Sequence, residues 1–387
     1  MKISESSRTA GISTSTIRRM FEIAEKASKK GKEVINLSIG EPDFHTHEKI
    51  LKKAFDAMKS GYTHYTSNFG IYEIREAISE IYKEKGFSIE PERIMVTCGA
   101  SEALLNTCLA FIEQGSEVII PSPNFISYFT YAKLCGAKIR QIKTHKNNFK
   151  VKVEQIHEII NKNVSAIFLN YPNNPTGVIM DKKDLISIAE IASDYNAVVI
   201  SDEIYDEIYY EKRPFSLVDF ENVIVINGFS KSLAMTGWRV GYIIANKALL
   251  DPILKVHQVN GVCAPAFAQK AIAEIIFEGD FHKIVRDMVK VFKERRDFIY
   301  SSLSKMGYKI TKPEGAFYIF PKVPINSFKF VEILSDKGVI VTPGTPFGKW
   351  NEKYIRISYA ISLEKLKKAV RILEDLHLKQ NFKEISA

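Results

Sequence analysis

Two periodicities alternate along this chain. Seven short runs rich in β-branched residues stand out, at 94–97, 117–120, 138–142, 166–170, 197–201, 223–227 and 240–244. Several are unbroken apolar runs, the pattern of strands covered on both faces. Helical spacing separates most of them: Ile71, Ile74, Ile78 and Ile81 fall on one face of a helix over 71–82. Stretches 103–111, 184–195 and 252–258 read as helices too. Strands alternating with helices predict an α/β fold, its large domain a mainly parallel seven-stranded sheet between helices.

The last third changes character. Residues 264–305 are long, charged and helical, and short alternating pieces come next at 316–320, 338–342 and 354–358, then a helix over 363–376. This predicts a smaller α+β domain. Before Pro42 lies an arm with a helix starting near Ser13 and a short strand at 34–37, too small to fold alone. The expected division is an arm over 1–45 that joins the small domain, a large domain over 46–280 and a small domain over 281–387. A chain of 387 residues fits two domains better than one.

Composition narrows the class. Hydrophobic residues are 45% and charged residues 26%, ordinary for a globular protein. No apolar run approaches the ~18 residues of a membrane helix, and the N-terminal stretch lacks the apolar core of a secretory signal. A cytoplasmic protein with no membrane partner is expected. The four cysteines form no CxxC pair, so reduced thiols are expected. His45 and His47 have no further ligands nearby in sequence, so no metal site is expected. The net charge of +9 is densest between Lys138 and Lys152. No nucleic-acid recognition signature accompanies that stretch, which reads as a solvated edge.

Ligands of open α/β sheets bind beyond the carboxyl ends of the strands, so the residues just past each strand carry the chemistry. Cys98-Gly99-Ala100-Ser101 comes after the first, and Tyr171-Pro172-Asn173-Asn174 after the fourth. Asp202-Glu203-Ile204-Tyr205 comes after the fifth, and Gly228-Phe229-Ser230-Lys231, with Arg239 beyond, after the sixth. Gly99, Ala100 and Ser101 entering a helix offer N–H groups and a hydroxyl to phosphate, and Arg239 adds a bidentate contact. Lys231 is a Schiff-base nucleophile in waiting. Asp202 can keep a heteroaromatic nitrogen protonated, while Asn174 and Tyr205 can bond a phenolic oxygen. Together these needs describe pyridoxal 5′-phosphate. Each residue alone has an ordinary reading, as a packing glycine, a helix cap or a solvated lysine. Their joint placement after separate strands favours the site.

Six segments, in order, resemble one family over nearly the whole chain. They are Leu37-Ser38-Ile39-Gly40-Glu41-Pro42-Asp43-Phe44, Tyr65-Thr66, Gly99-Ala100-Ser101, Asn173-Asn174-Pro175-Thr176-Gly177, Asp202-Glu203-Ile204-Tyr205 and Tyr354-Ile355-Arg356-Ile357-Ser358. With Asn227–Lys231 and Met235–Tyr242, they resemble the class I/II aminotransferases, pyridoxal-phosphate enzymes of fold type I, and within them the aspartate/aromatic subgroup. The resemblance implies that Lys231 carries the cofactor and shuttles a proton, with Asp202 and Tyr205 beside it. It implies that Phe125 stacks on the ring, that Ser230 helps with phosphate because position 228 is glycine, and that Asn174, Gly40 and Arg356 meet the substrate, Arg356 by clamping its α-carboxylate. Tyr65 would reach the partner subunit's phosphate in a homodimer, and the Asn174–Pro175 bond would be cis. The implied reaction moves an amino group from aspartate or an aromatic amino acid to a 2-oxo acid such as 2-oxoglutarate. Alternatives are a carbon–sulfur β-lyase of the same fold, which shares the first steps, and a non-enzymatic aminotransferase-like sensor.

Overall fold

The computed structural model describes residues 5–12 and 33–379. The helix expected from Ser13 lies outside the described residues. A two-residue strand, β1 (Ile35–Asn36), precedes the central sheet. That sheet comprises β2 (Ile94–Thr97), β3 (Glu117–Ser122), β4 (Lys138–Lys143), β5 (Val164–Asn170), β6 (Val198–Asp202), β7 (Val223–Gly228) and β8 (Gly241–Ile244). All seven expected strands form, within two residues of their expected ends. Their spatial order is β2-β8-β7-β6-β5-β3-β4. Every pairing is parallel except those of β8, which runs antiparallel to both β2 and β7.

The unbroken apolar runs have a simple cause. Ile94, Val96, Ile167, Leu169, Val199 and Val225 enter one core. Their chain neighbours Met95, Ala166, Phe168, Ile200, Ile224 and Ile226 enter a second core on the opposite face. Each strand is apolar on both sides because helices cover both. The 252–258 helix is longer than its pattern suggested and spans Lys247–Asn260, started by Asn246, whose side chain accepts from Leu249 N, with Pro252 inside it. Helices Glu48–Lys59 and Ile126–Leu134 were not read from the sequence.

The charged stretch 264–305 is two helices, Ala266–Phe277 and Phe281–Lys305, separated by a turn at Glu278–Asp280. The second joins two cores, with Phe281 and Val285 against the central sheet and Met288, Phe292, Ile299 and Leu303 in a third core. That third core takes in side chains of β9 (Tyr318–Ile319), β10 (Val339–Ile340) and β12 (Ile355–Ser358), with β11 (Thr342–Pro343) just after β10. Strands β11, β12 and β9 form an antiparallel sheet, and β1 pairs in parallel with β10. The segment after β1 is thereby tied to the C-terminal strands. Among the described residues no helix is long and apolar enough to cross a membrane.

One expectation fails. The cis peptide bonds are Ser122–Pro123 and Tyr171–Pro172, and Asn174–Pro175 is trans. The turn there is closed otherwise: Gly177 N donates to Asn173 O at 2.8 Å, and Thr176 N and Oγ1 both donate to Asn173 Oδ1.

The edge that matters is packed backbone to backbone. Gly228 and Gly241 are partners across β7 and β8, and a Cβ at Gly228 would lie 2.8 Å from Gly241 Cα. A Cβ at Gly241 would lie 2.4 Å from Ala100 N and 2.5 Å from Gly99 C, so the turn after β2 rests directly on β8. Overpacking of this kind costs about 1–3 kcal/mol. Gly241→Ala should lower the urea unfolding midpoint by that equivalent at unchanged slope; an unchanged midpoint would show that the turn gives way freely.

Candidate functional site

The carboxyl ends of β2, β3, β5, β6 and β7 open on a cavity of about 270 Å³. Its lining includes Gly40, Ala100, Ser101, Phe125, Asn174, Asp202, Tyr205, Ser230, Lys231, Arg239 and Arg356. Eleven of the thirteen residues singled out from the sequence thus meet on one space, gathered from positions 40 to 356. Gly99 lies just behind the lining, and Tyr65 does not reach it.

The floor is a buried carboxylate. Asp202 ends β6, its Oδ2 accepts from Tyr128 Oη at 2.5 Å, and its Oδ1 accepts from Ile204 N at 3.2 Å. Burial raises its carboxyl to about 6, against those hydrogen bonds and the nearby charge of Lys231. Lys231 sits in the short helix Phe229–Ser232 that continues β7. Its Nζ donates to Gly40 O at 2.8 Å. Burial lowers the amine to about 8; the Glu41 carboxylate pulls it upward, while Arg239 and Arg356 push it down. A substantial fraction is therefore the neutral, nucleophilic form near physiological pH.

One wall is an anion cradle. Helix Ala100–Phe111 starts at Gly99 (φ +84°) with no side-chain cap, leaving its first amides to a ligand. A Cβ at Gly99 would lie 2.5 Å from Arg239 Nη2, so the guanidinium presses on this turn. Arg239 is fixed by Thr236 O (2.8 Å) and Cys98 O (3.3 Å). Among the described residues no carboxylate pairs with it. Ser101 and Ser230 add hydroxyls to the same lining.

The opposite wall comes from the C-terminal strands. Arg356 on β12 is almost completely buried. Its Nη1 donates to Asn174 Oδ1 at 3.0 Å and its Nη2 to Ser38 O at 2.6 Å, while its Nε has no hydrogen-bond partner. It stacks over Tyr318 (4.6 Å) and Phe347 (5.2 Å). No carboxylate among the described residues neutralises it. A guanidinium buried with only neutral acceptors is costly unless an anion arrives. Because Asn174 spends its carbonyl on Arg356, its amide NH₂ remains for another oxygen. Tyr205 Oη and Tyr318 Oη lie 2.9 Å apart, and burial keeps the Tyr205 phenol neutral.

The sequence missed Tyr128 and Tyr318, which both line the cavity. Tyr128 carried a signal: it stands three residues after Phe125 at a helix start, a spacing that puts both on one face. Tyr318 carried none, since it reaches the site only through the packing of the C-terminal strands. Tyr65 is 86% exposed and lies outside the cavity lining.

The donor set fits a phosphorylated aldehyde with a basic ring nitrogen. It holds an uncapped helix start beside Arg239, a lysine poised near neutrality, a buried acid and, apart from these, Arg356, neither arginine paired with a carboxylate among the described residues. Comparison with known proteins agrees. The family model for "Aminotransferase class I and II" matches residues 32–373. A probable aspartate aminotransferase of Methanocaldococcus jannaschii is 42% identical, over 96% of this chain and 99% of that one. Aromatic-amino-acid aminotransferase 2 of Thermococcus litoralis is 36% identical, over 95% and 97%. Among solved structures, the aspartate aminotransferase of Thermus thermophilus with maleate superposes with a TM-score of 0.93 at 31% identity, over 97% of this chain and 100% of that one. The match over nearly the whole chain settles the family: the chain belongs to the class I and II aminotransferases, enzymes that move an amino group between an amino acid and a 2-oxo acid.

Proposed function

We propose that this enzyme works with pyridoxal 5′-phosphate, taking aspartate or an aromatic amino acid as donor, aspartate ahead, and 2-oxoglutarate as acceptor. The observation that carries this reading is the unneutralised, buried Arg356 facing the same cavity as Lys231 and Asp202. The relatives' own donors, aspartate and aromatic amino acids, support the choice.

Gly99, Ala100, Ser101, Ser230 and Arg239 hold the phosphate, Asp202 the ring nitrogen, Asn174 and Tyr205 the phenolic oxygen, and Phe125 one face of the ring. The bound cofactor supplies an aldehyde for the amino group and a ring that accepts charge released at the substrate's α-carbon. Lys231 Nζ takes the proton from that carbon and returns it on the far side of the exchange. Its depressed proton affinity suits both directions near neutral pH. Arg356 grips the α-carboxylate with two parallel N–H donors, and Gly40, whose carbonyl now holds Lys231, borders the same place. The three cations on the cavity, Lys231, Arg239 and Arg356, each have such a task. A donor's second carboxylate is therefore met by a group beyond them, supplied in this reading by the neighbouring subunit.

The same reading makes the enzyme a homodimer. Tyr65 is exposed, and the helix Glu48–Lys59 presents Leu51, Phe55 and Met58, large apolar side chains each more than two-fifths exposed; exposed apolar surface of this kind supports association. Three structural parts are proposed: an arm over 1–45, a cofactor-binding domain over 46–280 and a small domain over 281–387. Four cysteines without a disulfide support a reducing compartment, the cytoplasm.

Three outcomes test this. Borohydride reduction of the yellow enzyme should fix the pyridoxyl group on Lys231, read by peptide mass spectrometry, and Lys231→Ala should lower kcat by at least about 10²–10⁴-fold while still binding cofactor; label on another lysine alone would refute the assignment. Sedimentation at assay concentration should give a dimer, and Tyr65→Phe should loosen cofactor binding; a fully active monomer would contradict shared sites. Arg356→Lys keeps the charge and loses the fork, so kcat/KM should fall alike for aspartate and phenylalanine. A changed ratio between those donors would mean that Arg356 reads the side chain.

A further inference from the structure

Asp202 is a buried charge on the floor of the site, and among the described residues one side chain hydrogen-bonds its carboxylate. Tyr128 is fully buried, and its phenol donates to Asp202 Oδ2 at 2.5 Å. Its ring is fixed independently of that hydrogen bond, stacked on Phe168 (centroids 5.2 Å apart, 27° between planes) and edge-on to Phe125 (5.5 Å, 81°). The helix Ile126–Leu134 starts at Phe125, so one helical turn delivers both an aromatic ring and the phenol to the cavity. The other oxygen, Oδ1, accepts from Ile204 N, and the Asp202 main-chain carbonyl accepts from Asn170 Nδ2 at 2.9 Å. The carboxylate is therefore held at both oxygens, with lone pairs left for one more donor.

We propose that Tyr128 is a positioning residue for the cofactor ring: by donating to Asp202 Oδ2 it keeps this buried carboxylate ionised and fixed in orientation, ready to pair with a ring N–H. The inference rests on the pyridoxal-phosphate reading and adds a second residue to the ring-nitrogen site. The physical need is clear. Burial alone favours the neutral acid, and a neutral acid cannot hold a protonated ring nitrogen by charge. A hydrogen bond to the ionised form opposes that drift, and such bonds are stronger than neutral ones. The titratable groups facing Asp202 are Tyr128 and Tyr131 from the helix after β3, Tyr205 from the turn after β6, and Lys231 from the helix after β7. The phenols are neutral across the working range because burial pushes all three up. Tyr128 and Lys231 are the side chains that favour the ionised carboxylate.

Tyr128→Phe removes the hydroxyl and keeps the ring in both aromatic contacts. The probe is pyridoxamine 5′-phosphate, which carries the ring nitrogen but no aldehyde, so attack by Lys231 does not enter. Its dissociation constant is measured from pH 5 to 9 on cofactor-stripped full-length protein. In the wild type, affinity should fall as pH drops through about 6, where Asp202 takes up its proton. In Tyr128→Phe that fall should begin about one pH unit higher or more, with affinity at pH 9 close to wild type. Asp202→Asn should abolish this part of the pH dependence, and adding Tyr128→Phe to it should shift nothing further. Weakening by the same factor at every pH, or no change at all, would give Tyr128 a merely structural role and overturn the proposal. If the wild-type chain failed to bind the probe at any pH, the cofactor reading itself would fall, and the proposal with it.

Discussion

Everything in this site derives from withdrawing charge from water without neutralising it. Arg356 is buried against two carbonyl oxygens, the Thr342 hydroxyl and two aromatic faces, with no acid paired to it among the described residues. Asp202 is buried against a phenol and an amide. An isolated buried charge costs several kcal/mol, so the fold must recover that cost elsewhere. It does so with three apolar cores, two of them on the faces of a single sheet. The unspent electrostatic demand is what a ligand can satisfy. In the proposed reading, a zwitterionic substrate and an anionic cofactor would bring the missing countercharges.

The sheet explains why these charges can be held apart at fixed distances. Five strands end at the same edge, and each contributes its next residues to a different corner of the cavity. β8 is the reversed strand, and that reversal has a use. It brings Gly241 against the turn after β2 and leaves Arg239, just before the strand, on the anion side. A parallel β8 would present its other end here. The segment after β1 then laces the two walls together: Ser38 O accepts from Arg356, Gly40 O from Lys231, and Glu41 Oε2 from Thr236 Oγ1. The arginine wall and the lysine are thus joined through three residues of backbone, Ser38 to Gly40.

How much of this was legible depends on range. The seven strands were, because a strand covered on both faces writes itself as a local apolar run. The residues after those strands were legible for the same reason, since parallel topology sends them all to one edge. What failed was geometry set by distant packing. Tyr318 reaches Tyr205 across 113 positions, and no local pattern encodes that. The Asn174–Pro175 bond was expected cis from resemblance, but the hydrogen bonds within 173–177 close a turn that needs none. The helix at Lys247–Asn260 was read short, because Pro252 looked like its beginning. Proline is tolerated in the first turn of a helix, where the N–H it lacks would be unpaired, and here it lies one turn further in.

Tyr128 marks the boundary between those two kinds of knowledge. Its spacing from Phe125 placed it on the right helix face, but its value comes from Asp202, 74 positions away. A lone buried tyrosine reads as core, and by its stacking on Phe168 it is core. The same ring that fills space also carries the hydroxyl that keeps the acid charged. Packing fixes that hydroxyl within hydrogen-bond reach, so no entropy is lost in aiming it when a ligand arrives. Core and site are therefore the same object here. A substitution that looks conservative by volume, such as tyrosine to phenylalanine, leaves the fold's packing intact and changes the charge state of the residue beside it.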